Sequence, residues 1–542
     1  MNRKPAKVIF TLSVAAALLA GCSGAGQGKE GGASAAPQPK ASTPLSITAN
    51  AQSLGDTGGI KLPIVDKPTT LTWMVSIDRP PDNLNNSLFV KEIERRTGIT
   101  LDIQVHSAQV YKDKLKIVLA SGKLPDIFSG LTLAEANKMG GQGALTPINP
   151  YLKDLPNFKK LYVDNSDNNW IMKSWTDDKN NLYTWPSYGL QRDVNHGFLY
   201  RKDVFDKLGI KEWTNTEEFY QALKKLKEAN PQSYPYASKT KENIFRDWAY
   251  GWGIGGSSFP AYYDEKTKEW KLVYTTPEYK SMLDFMKKLY NEGLIDPEFI
   301  TDTEASWTAK MTTNNKSFVT FDWIGRLDLF ANQVKATMPE YNLRYGNPVG
   351  PTGNIRSLPR IDNFGLVVAD GKNKEVALKL LDYLSSPGGG SFVTMGIEGE
   401  TFKMENGKPV YPELKDVPNL DIYALESKYG LWIESMVLRP DKRNVYFNFT
   451  EKEQEAQDKI VKAKKFEAPD PVLKFTDDET KTLAEFRVTL DKAANEFSTK
   501  YVIKRELGEA DWKEWQQSVD KLGATKFIEA YTAAQKRYNE AK

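Results

Sequence analysis

Several tryptophans and arginines of this sequence offer groups that suit the binding of ring-shaped polar molecules. Pyranose rings present C–H faces that stack on indole, while their hydroxyls need directional partners such as carboxylate, amide and guanidinium groups. Each stack contributes about 0.5–1.5 kcal/mol beyond the area it buries, so several together give useful affinity. The mixture therefore favours carbohydrate binding, although each tryptophan taken singly is equally suited to a protein core. The residues concerned are Trp185, Trp248, Trp252, Trp323, Arg326 and Arg360.

Catalytic patterns find little support in the residues. The chain has two histidines, His106 and His196, and it contains no H-E-x-x-H, G-x-S-x-G or cysteine-nucleophile pattern. Spacing does not exclude a glycosidase pair, because its two carboxylates need be neighbours only in space, and Asp322 with Glu398 is the first pair to test. We predict a binding protein, with a secreted carbohydrate-active enzyme as an alternative.

Neither a metal ion nor a cofactor is expected. Asp164, Ser166 and Asn168 offer oxygens at alternate positions, but the residues that follow lack the glycine and the bidentate glutamate of a calcium loop. The glycine-rich residues 251–256 do not have the spacing of a dinucleotide-binding loop. We interpret these glycines as positions where the backbone approaches a ligand beside the indole rings.

The first 22 residues have the pattern of an exported and lipid-anchored protein. Three basic residues precede an apolar run over residues 8–20, which is too short to cross about 30 Å of hydrocarbon as a helix. The run ends in Leu-Ala-Gly-Cys, which resembles a bacterial lipobox and predicts cleavage after residue 21 with acylation of Cys22. The alternative is an ordinary signal peptide whose mature chain begins with cysteine.

Length and charge narrow the class of protein. A chain of 542 residues exceeds the size of one hydrophobic core, so two or more lobes are expected. Three of the 73 basic residues lie in the leader, and the remainder balance the 70 acidic residues, so nucleic acid is not an expected partner. Residues 22–68 are dominated by Gly, Ala, Ser and Pro and are predicted to form a flexible tether.

The folded part is predicted to begin with strands that alternate with helices. Strands are predicted over residues 70–76, 99–105 and 126–128, with one helix between each pair. This alternation implies a parallel sheet, whose ligands bind beyond the carboxyl ends of the strands. Ser129, just past the third strand, is therefore a candidate for the rim of a binding cleft.

Three longer phrases resemble a known family. They are residues 199–210 (LYRKDVFDKLGI), residues 396–402 (GIEGETF) and residues 511–538, where Asp-Trp-x-x-Trp precedes Lys-Leu-Gly and Gln-x-Arg-Tyr. These phrases are similar to the crossover strand and helix, the G-x-E-G turn and the C-terminal helices of the extracellular solute-binding proteins that serve bacterial ABC importers. Within that group the chain resembles the lipoproteins linked to oligosaccharide uptake, and the resemblance extends over residues 69–538.

The resemblance implies a fold. It implies an α/β protein of two lobes, the type II periplasmic-binding-protein-like fold, with strands that cross a hinge and an extended helical C-terminal region. Residues 69–189 and 354–387 would form the N-terminal lobe, and residues 190–353 and 388–542 the other lobe. A ligand that bridges the lobes would stabilise a closed form through contacts that the open form lacks.

The resemblance also guides the choice of site residues. It places Trp323 and Arg326 at the end of a strand that reaches the cleft, with Asp322 beside them to orient the guanidinium or accept a sugar hydroxyl. Some relatives carry a calcium loop after the helix that corresponds to residues 216–229, but residues 230–235 here include no acidic residue. The candidate ligand-binding residues are Ser129, Trp185, Tyr200, Trp248, Trp252, Trp323, Arg326, Arg360, Asn363 and Glu398.

The expected role follows from the resemblance and the leader together. We expect a monomer anchored through Cys22 to the outer face of a cell membrane of the Gram-positive type. It would capture an extracellular oligosaccharide and pass it unchanged to the transmembrane permease subunits of an ABC importer. Binding of a peptide or of another small solute on the same scaffold is the alternative, because a fold alone does not fix its ligand.

Overall fold

The structure is a computed structural model. The predicted leader, Cys22, residues 23–53 of the predicted tether and Arg360 lie outside the described residues, as does the side chain of Asn363. The described residues are 54–77, 80–81, 83–189, 194–355, 361–417, 420, 422–445, 449–466 and 470–540.

Strands and helices are interspersed along the chain. The strands are β1 (Thr69–Ser76), β2 (Ile99–His106), β3 (Ile127–Phe128), β4 (Thr184–Tyr188), β5 (His196–Arg201), β6 (Ala261–Asp264), β7 (Glu269–Leu272), β8 (Val319–Trp323), β9 (Leu343–Tyr345), β10 (Ile361–Val368), β11 (Lys403–Glu405) and β12 (Lys408–Val410). The helices are α1 (Leu88–Thr97), α2 (Ala108–Ser121), α3 (Leu133–Gly141), α4 (Pro156–Phe158), α5 (Trp170–Ser174), α6 (Lys202–Lys207), α7 (Thr216–Ala229), α8 (Asn243–Ala249), α9 (Pro277–Asn291), α10 (Glu304–Met311), α11 (Arg326–Val334), α12 (Lys374–Leu384), α13 (Pro387–Met395), α14 (Ile422–Tyr429), α15 (Lys442–Val445), α16 (Glu451–Ala463), α17 (Asp477–Ile503), α18 (Glu509–Val519) and α19 (Ala524–Glu540).

The first three strands confirm the predicted alternation. Helix α1 begins where the Ser87 side chain accepts a hydrogen bond from the Val90 amide, and it ends at Gly98, whose φ of 75° favours glycine. Strand β1 pairs in parallel with β2 and with β3. Alternating apolar residues in β2 point inward, as the burial of its odd-numbered positions 99, 101 and 103 shows.

The first sheet has the strand order β2-β1-β3-β10-β4. Strand β10 runs antiparallel to both β3 and β4, so β4 has the same direction as β1, β2 and β3. The carboxyl ends of these four strands therefore lie at one edge of the sheet, which is where open α/β sheets bind ligands.

A second sheet, in the order β8-β5-β9, belongs to a different hydrophobic core. Strand β5 is antiparallel to both neighbours, and His196 at its start pairs with Trp323 at the end of β8. Tyr188 lies at the carboxyl edge of the first sheet, and His196 pairs with Trp323 in the second sheet. The two residues are eight positions apart, so the chain between them spans at most about 28 Å.

Two large cores give the protein its two lobes, as predicted, and a smaller core around Met74, Phe128 and Val367 also belongs to the first sheet. The first core collects buried side chains from residues 60–185 and 361–438, and the second collects them from residues 194–355 and 449–531. Residues 388–438 thus pack with the first sheet, although they were expected in the other lobe. Side chains such as Phe392 and Leu431 are buried there because α13 and the chain after α14 cover the first sheet's helices. We therefore propose a lobe limit near residue 440 in place of 387.

Residues 54–67 pack against the first lobe. The Gly388 amide donates to the Asp56 carbonyl at 2.8 Å, and the Ile64 amide donates to the Thr97 carbonyl at 2.9 Å. Ile60 joins the first core. This packing corrects the predicted tether at its C-terminal end, because these backbone groups and the isoleucine side chain are held by the folded lobe.

The C-terminal helices are fastened to the second lobe by buried polar contacts. Trp270 on β7 donates its indole N–H to Gln535 on α19 at 3.0 Å, and Trp515 on α18 donates to the Tyr274 carbonyl at 2.8 Å. The Tyr279 hydroxyl lies 2.9 Å from the Ser498 hydroxyl on α17. The extended helical region predicted at the C-terminus is therefore part of the second lobe's core.

Asp382 gives the first lobe a pH-dependent contribution to stability. Burial raises the pKa of Asp382 to about 6, against partial compensation by hydrogen bonds from the Phe158 and Asn157 amides and the Asn157 side chain. The folded protein thus binds this proton more tightly than the unfolded chain does. The resulting stabilisation is complete below about pH 4 and is lost as the pH rises through 6.

We expect this loss to appear as a difference between wild type and Asp382→Asn. Between pH 4 and pH 7 the free energy of unfolding of the wild type should fall, relative to the variant, by about 2–3 kcal/mol. Urea unfolding at several pH values measures it. Parallel pH profiles for the two proteins would contradict the prediction.

Candidate functional site

Trp323 is an exposed indole at the end of a buried strand. The four residues before it in β8 are buried, whereas 39% of Trp323 is exposed. A Cβ atom on Gly325 would lie 2.3 Å from the indole ring, so the ring rests on the backbone at a position that only glycine permits. The indole is thus held in place while part of its surface stays open to a ligand.

Four charged side chains at this strand end form one network and balance one another. Asp322 accepts a hydrogen bond from the Trp323 amide at 2.7 Å, and its other oxygen lies 3.2 Å from Lys239 and 3.3 Å from Arg326. Glu304 forms an ion pair with Arg326 and lies 3.6 Å from Lys239. A hydrogen bond from Arg326, aided by the charge of Lys239, holds the pKa of Glu304 below its ordinary value. Donors and acceptors are therefore fixed at the strand end that carries the partly exposed indole.

The ring of Trp307 packs against the charged groups of Lys239 and Arg326. Its indole is fully buried and donates to the Thr320 hydroxyl at 3.0 Å. The Lys239 ammonium lies 4.6 Å and the Arg326 guanidinium 5.3 Å from its ring centroid. Cations at these distances are attracted by the negative face of the ring, so Trp307 helps to fix the polar groups.

Sequence reasoning missed Lys239, Glu304 and Trp307. For Glu304 a local signal exists, because Thr303 and Ser306 form a capping box that begins α10 at this residue. Acidic residues favour the first turn of a helix. Lys239 follows a loop with no such pattern, so only the tertiary structure brings it to Asp322.

Three of the predicted tryptophans lie in hydrophobic cores. Trp248 and Trp252 belong to the second core, and Trp185 belongs to the first. The Trp185 ring packs 4.7 Å from Phe158, and its N–H donates to Ser385 at 3.1 Å. Trp248 donates to the Tyr236 hydroxyl at 3.0 Å and stacks on Trp252 at 6.1 Å. All three tryptophans are buried, so their rings serve packing in this form of the protein.

Tyr200 is likewise buried. Its ring lies between Phe205 and Trp213, at 4.8 and 5.5 Å, and its hydroxyl contacts Glu212 at 3.4 Å. The structure therefore places Trp323 at the end of β8 and Arg326 three residues later at the start of α11, and it does not bring Tyr200, Trp248 or Trp252 to that surface.

The glycines near Trp252 approach the protein's own backbone. A Cβ on Gly251 would lie 1.7 Å from the Val349 carbonyl oxygen, and one on Gly255 would overlap the Tyr250 ring. The interpretation that these glycines make room for a ligand is replaced by tight packing within the second lobe.

Gly251→Ala is expected to lower the free energy of unfolding by about 1–3 kcal/mol, because the added methyl meets a backbone atom that cannot rotate away. Gly141→Ala is the control, since a Cβ there meets nothing within 4 Å. Chemical denaturation measures both variants. Equal stability of the two would show that the second lobe accommodates the methyl group.

The remaining candidates belong to the first lobe. Ser129 is half-buried at the carboxyl end of β3, at the predicted edge, and its carbonyl accepts the Tyr111 hydroxyl at 3.1 Å. Glu398 is exposed and lines a cavity of about 520 Å³ together with Arg96 and Arg443. Arg360 and the side chain of Asn363 lie outside the described residues.

Two further searches cover the residues that the structure describes. Among them no three His, Cys, Asp or Glu side chains are grouped so that they could hold a metal ion. None of the described helices has both the length and the apolar run needed to cross a membrane.

Comparison with known proteins assigns the family. Residues 86–391, more than half of the chain, match the family described as bacterial extracellular solute-binding protein. This chain belongs to that family. The two-lobed fold and the role of a solute-binding protein rather than an enzyme confirm the corresponding predictions. Asp322 and Glu398 accordingly are not a glycosidase pair.

Curated relatives of this solute-binding protein come from two bacteria. Lipoprotein LipO of Bacillus subtilis is 24% identical over 484 residues, which cover 83% of this chain and 88% of LipO. The polygalacturonan/rhamnogalacturonan-binding protein YtcQ of the same organism is 28% identical over 43% of this chain and 46% of its own length. The fructooligosaccharide ABC transporter substrate-binding protein FusA of Streptococcus pneumoniae is 22% identical over 61% and 63%.

Solved structures share the fold. The alginate-binding protein AlgQ2 without calcium ion has a TM-score of 0.64 at 22% identity, over 88% of this chain and 99% of AlgQ2. An HMO-binding solute-binding protein from Bifidobacterium longum infantis has a TM-score of 0.66 at 19% identity, over 88% and 99%. These similarities extend along nearly all of the folded chain.

Proposed function

We propose that this protein captures an extracellular oligosaccharide between its two lobes and delivers it unchanged to an ABC permease. The observation that carries the proposal is Trp323, whose indole lies against Gly325 with 39% of the residue exposed, at the strand end where Asp322 and Arg326 are hydrogen-bonded to each other. A pyranose ring can stack on that face while its hydroxyls meet the carboxylate and guanidinium groups. The saccharides named for FusA and YtcQ support this ligand class.

The geometry of the two lobes supports binding between them. Trp323 lies at the end of β8 in the second sheet and pairs with His196. His196 is eight residues after Tyr188, which lies at the carboxyl edge of the first sheet. A ligand on Trp323 that also contacts that edge would stabilise a closed arrangement, because those added contacts exist only when the lobes approach. Ser129, at that edge, stays in the proposed site.

Anchoring is proposed from the leader. Cleavage after residue 21 would leave Cys22 acylated at the mature N-terminus, with residues 23–53 joining it to the folded lobe. LipO, described as a lipoprotein, supports this proposal. Labelling cells with a palmitate analogue tests it, because the label should attach to wild type and be lost in Cys22→Ser. Equal labelling of both proteins would refute the anchor.

Isothermal titration calorimetry of the mature chain carrying Cys22→Ser tests the ligand class. Kestose, an oligogalacturonide and a peptide mixture serve as titrants, with an assay for new reducing ends run on the same samples. Heat from a saccharide without new reducing ends supports the proposal. Binding of peptides alone would favour the other solute class, and turnover of a saccharide would refute the importer role. Size-exclusion chromatography with light scattering tests the expected monomer.

A further inference from the structure

One segment of the first lobe runs along the edge where ligands are expected. Gly430 packs against Ser87, the residue that caps α1 after the carboxyl end of β1. Eight residues later, the Leu438 carbonyl accepts a hydrogen bond from the Tyr188 amide at the carboxyl end of β4. The chain between them therefore passes from one strand end to another along the binding edge of the sheet.

Trp432, inside this segment, has an unusual backbone conformation. Its φ is 61°, in the left-handed region that bulky residues rarely adopt. The conformation is held because the Trp432 amide donates to the Val393 carbonyl at 3.0 Å and the ring is 95% buried, with 5% of the residue exposed. A strained backbone of this kind persists where surrounding contacts hold it in place, and such positions cluster at ligand-binding sites.

Three polar groups of the same segment lack partners. The Tyr429 hydroxyl, the Trp432 indole nitrogen and the Ser435 hydroxyl are buried, and none has a hydrogen-bond partner within the described part of the chain. Buried polar groups are nearly always paired, so three exceptions at every third position of one short stretch call for an explanation. Each of the three can donate a hydrogen bond.

We propose that Tyr429, Trp432 and Ser435 form the first lobe's contact to the saccharide, opposite Trp323 of the second lobe. The inference rests on the proposed function. A saccharide offers many acceptor oxygens, and a modest turn of the strained backbone at Trp432 would present the three donors to them. The ligand would thus supply the partners that the groups lack in this form, and it would be held from both lobes.

Isosteric variants separate this role from a structural one. Trp432→Phe, Tyr429→Phe and Ser435→Ala each remove one polar group and keep most of the packing. The matched control is Trp175→Phe, because Trp175 has a buried indole nitrogen that is also without a partner among described residues, but it lies directly after α5 and not in the segment of residues 429–438. Affinities for kestose and for an oligogalacturonide are measured by calorimetry, and unfolding temperatures by differential scanning calorimetry.

We expect each of the three edge variants to bind the active saccharide about two- to tenfold more weakly than wild type, while Trp175→Phe binds normally. The unfolding temperatures of Tyr429→Phe and Ser435→Ala should not fall, since the removed hydroxyls make no hydrogen bond in the free protein, whereas Trp432→Phe also loses buried ring volume. Unchanged affinity in all three variants would overturn the inference and leave the proposed function intact. A drop in the unfolding temperature of Tyr429→Phe or Ser435→Ala would also overturn it, by showing that these hydroxyls are paired in the free protein. Absence of binding by wild type would instead refute the proposed function and, with it, this assignment.

Discussion

Trp323→Ala is expected to weaken saccharide binding by about 30-fold or more, because the indole supplies the stacking face of the proposed site. Its ring is held on Gly325 before ligand arrives, so little conformational entropy is lost on binding. Calorimetry with the saccharide that binds wild type measures the loss. Stability should change little, since 39% of the residue is already exposed.

Two controls sharpen that experiment. Trp323→Phe keeps an aromatic face and should retain part of the affinity, whereas Trp248→Phe alters a buried ring and should leave affinity near that of wild type. If Trp323→Ala bound saccharide as tightly as wild type, the site would have to be sought elsewhere in the protein.

Trp307→Ala is expected to lower the free energy of unfolding by about 3–5 kcal/mol, because it empties the volume of a fully buried indole. It also leaves the Thr320 hydroxyl without its donor and removes the ring beneath Lys239 and Arg326. Urea unfolding followed by circular dichroism measures the loss. We expect weaker saccharide binding as well, since the cations lose the surface that orients them.

Trp307→Phe serves as the comparison, because it fills much of the cavity and keeps a ring face for the cations. It should restore most of the affinity but not all of the stability. A loss of less than about 1 kcal/mol for Trp307→Ala would mean that the second core collapses around the vacancy.

Trp307 and Trp323 show that composition alone does not distinguish a buried tryptophan from an exposed one. Large aromatic rings suit protein cores and ligand sites equally well, because both places reward the burial of apolar area. The sequence therefore favoured Trp185, Trp248 and Trp252 as ligand contacts, whereas the structure places all three in cores. Trp323 differs from them by its place at the end of β8 and by Gly325, which admits its ring.

Helices and strands of the first lobe followed the prediction closely, since their causes are local. Apolar periodicity and the caps at Ser87 and Gly98 lie within a few residues of the elements that they define. The limits of the lobes depend instead on distant contacts. Burial of residues 388–438 beside the first sheet results from packing between parts of the chain that no local pattern connects.

The amino-acid sequence by itself determined the α/β alternation and the family resemblance, and it predicted export and a site at Trp323 and Arg326, which lie at the end of β8 and the start of α11. These follow from short-range periodicity, from the composition of the leader and from phrases that remain recognisable. Only the tertiary structure decided which indoles are open, that Lys239 and Glu304 join Asp322, and that residues 430–438 run from Ser87 to Tyr188. Exposure and long-range pairing depend on how the whole chain packs, because each is settled by residues far apart in sequence.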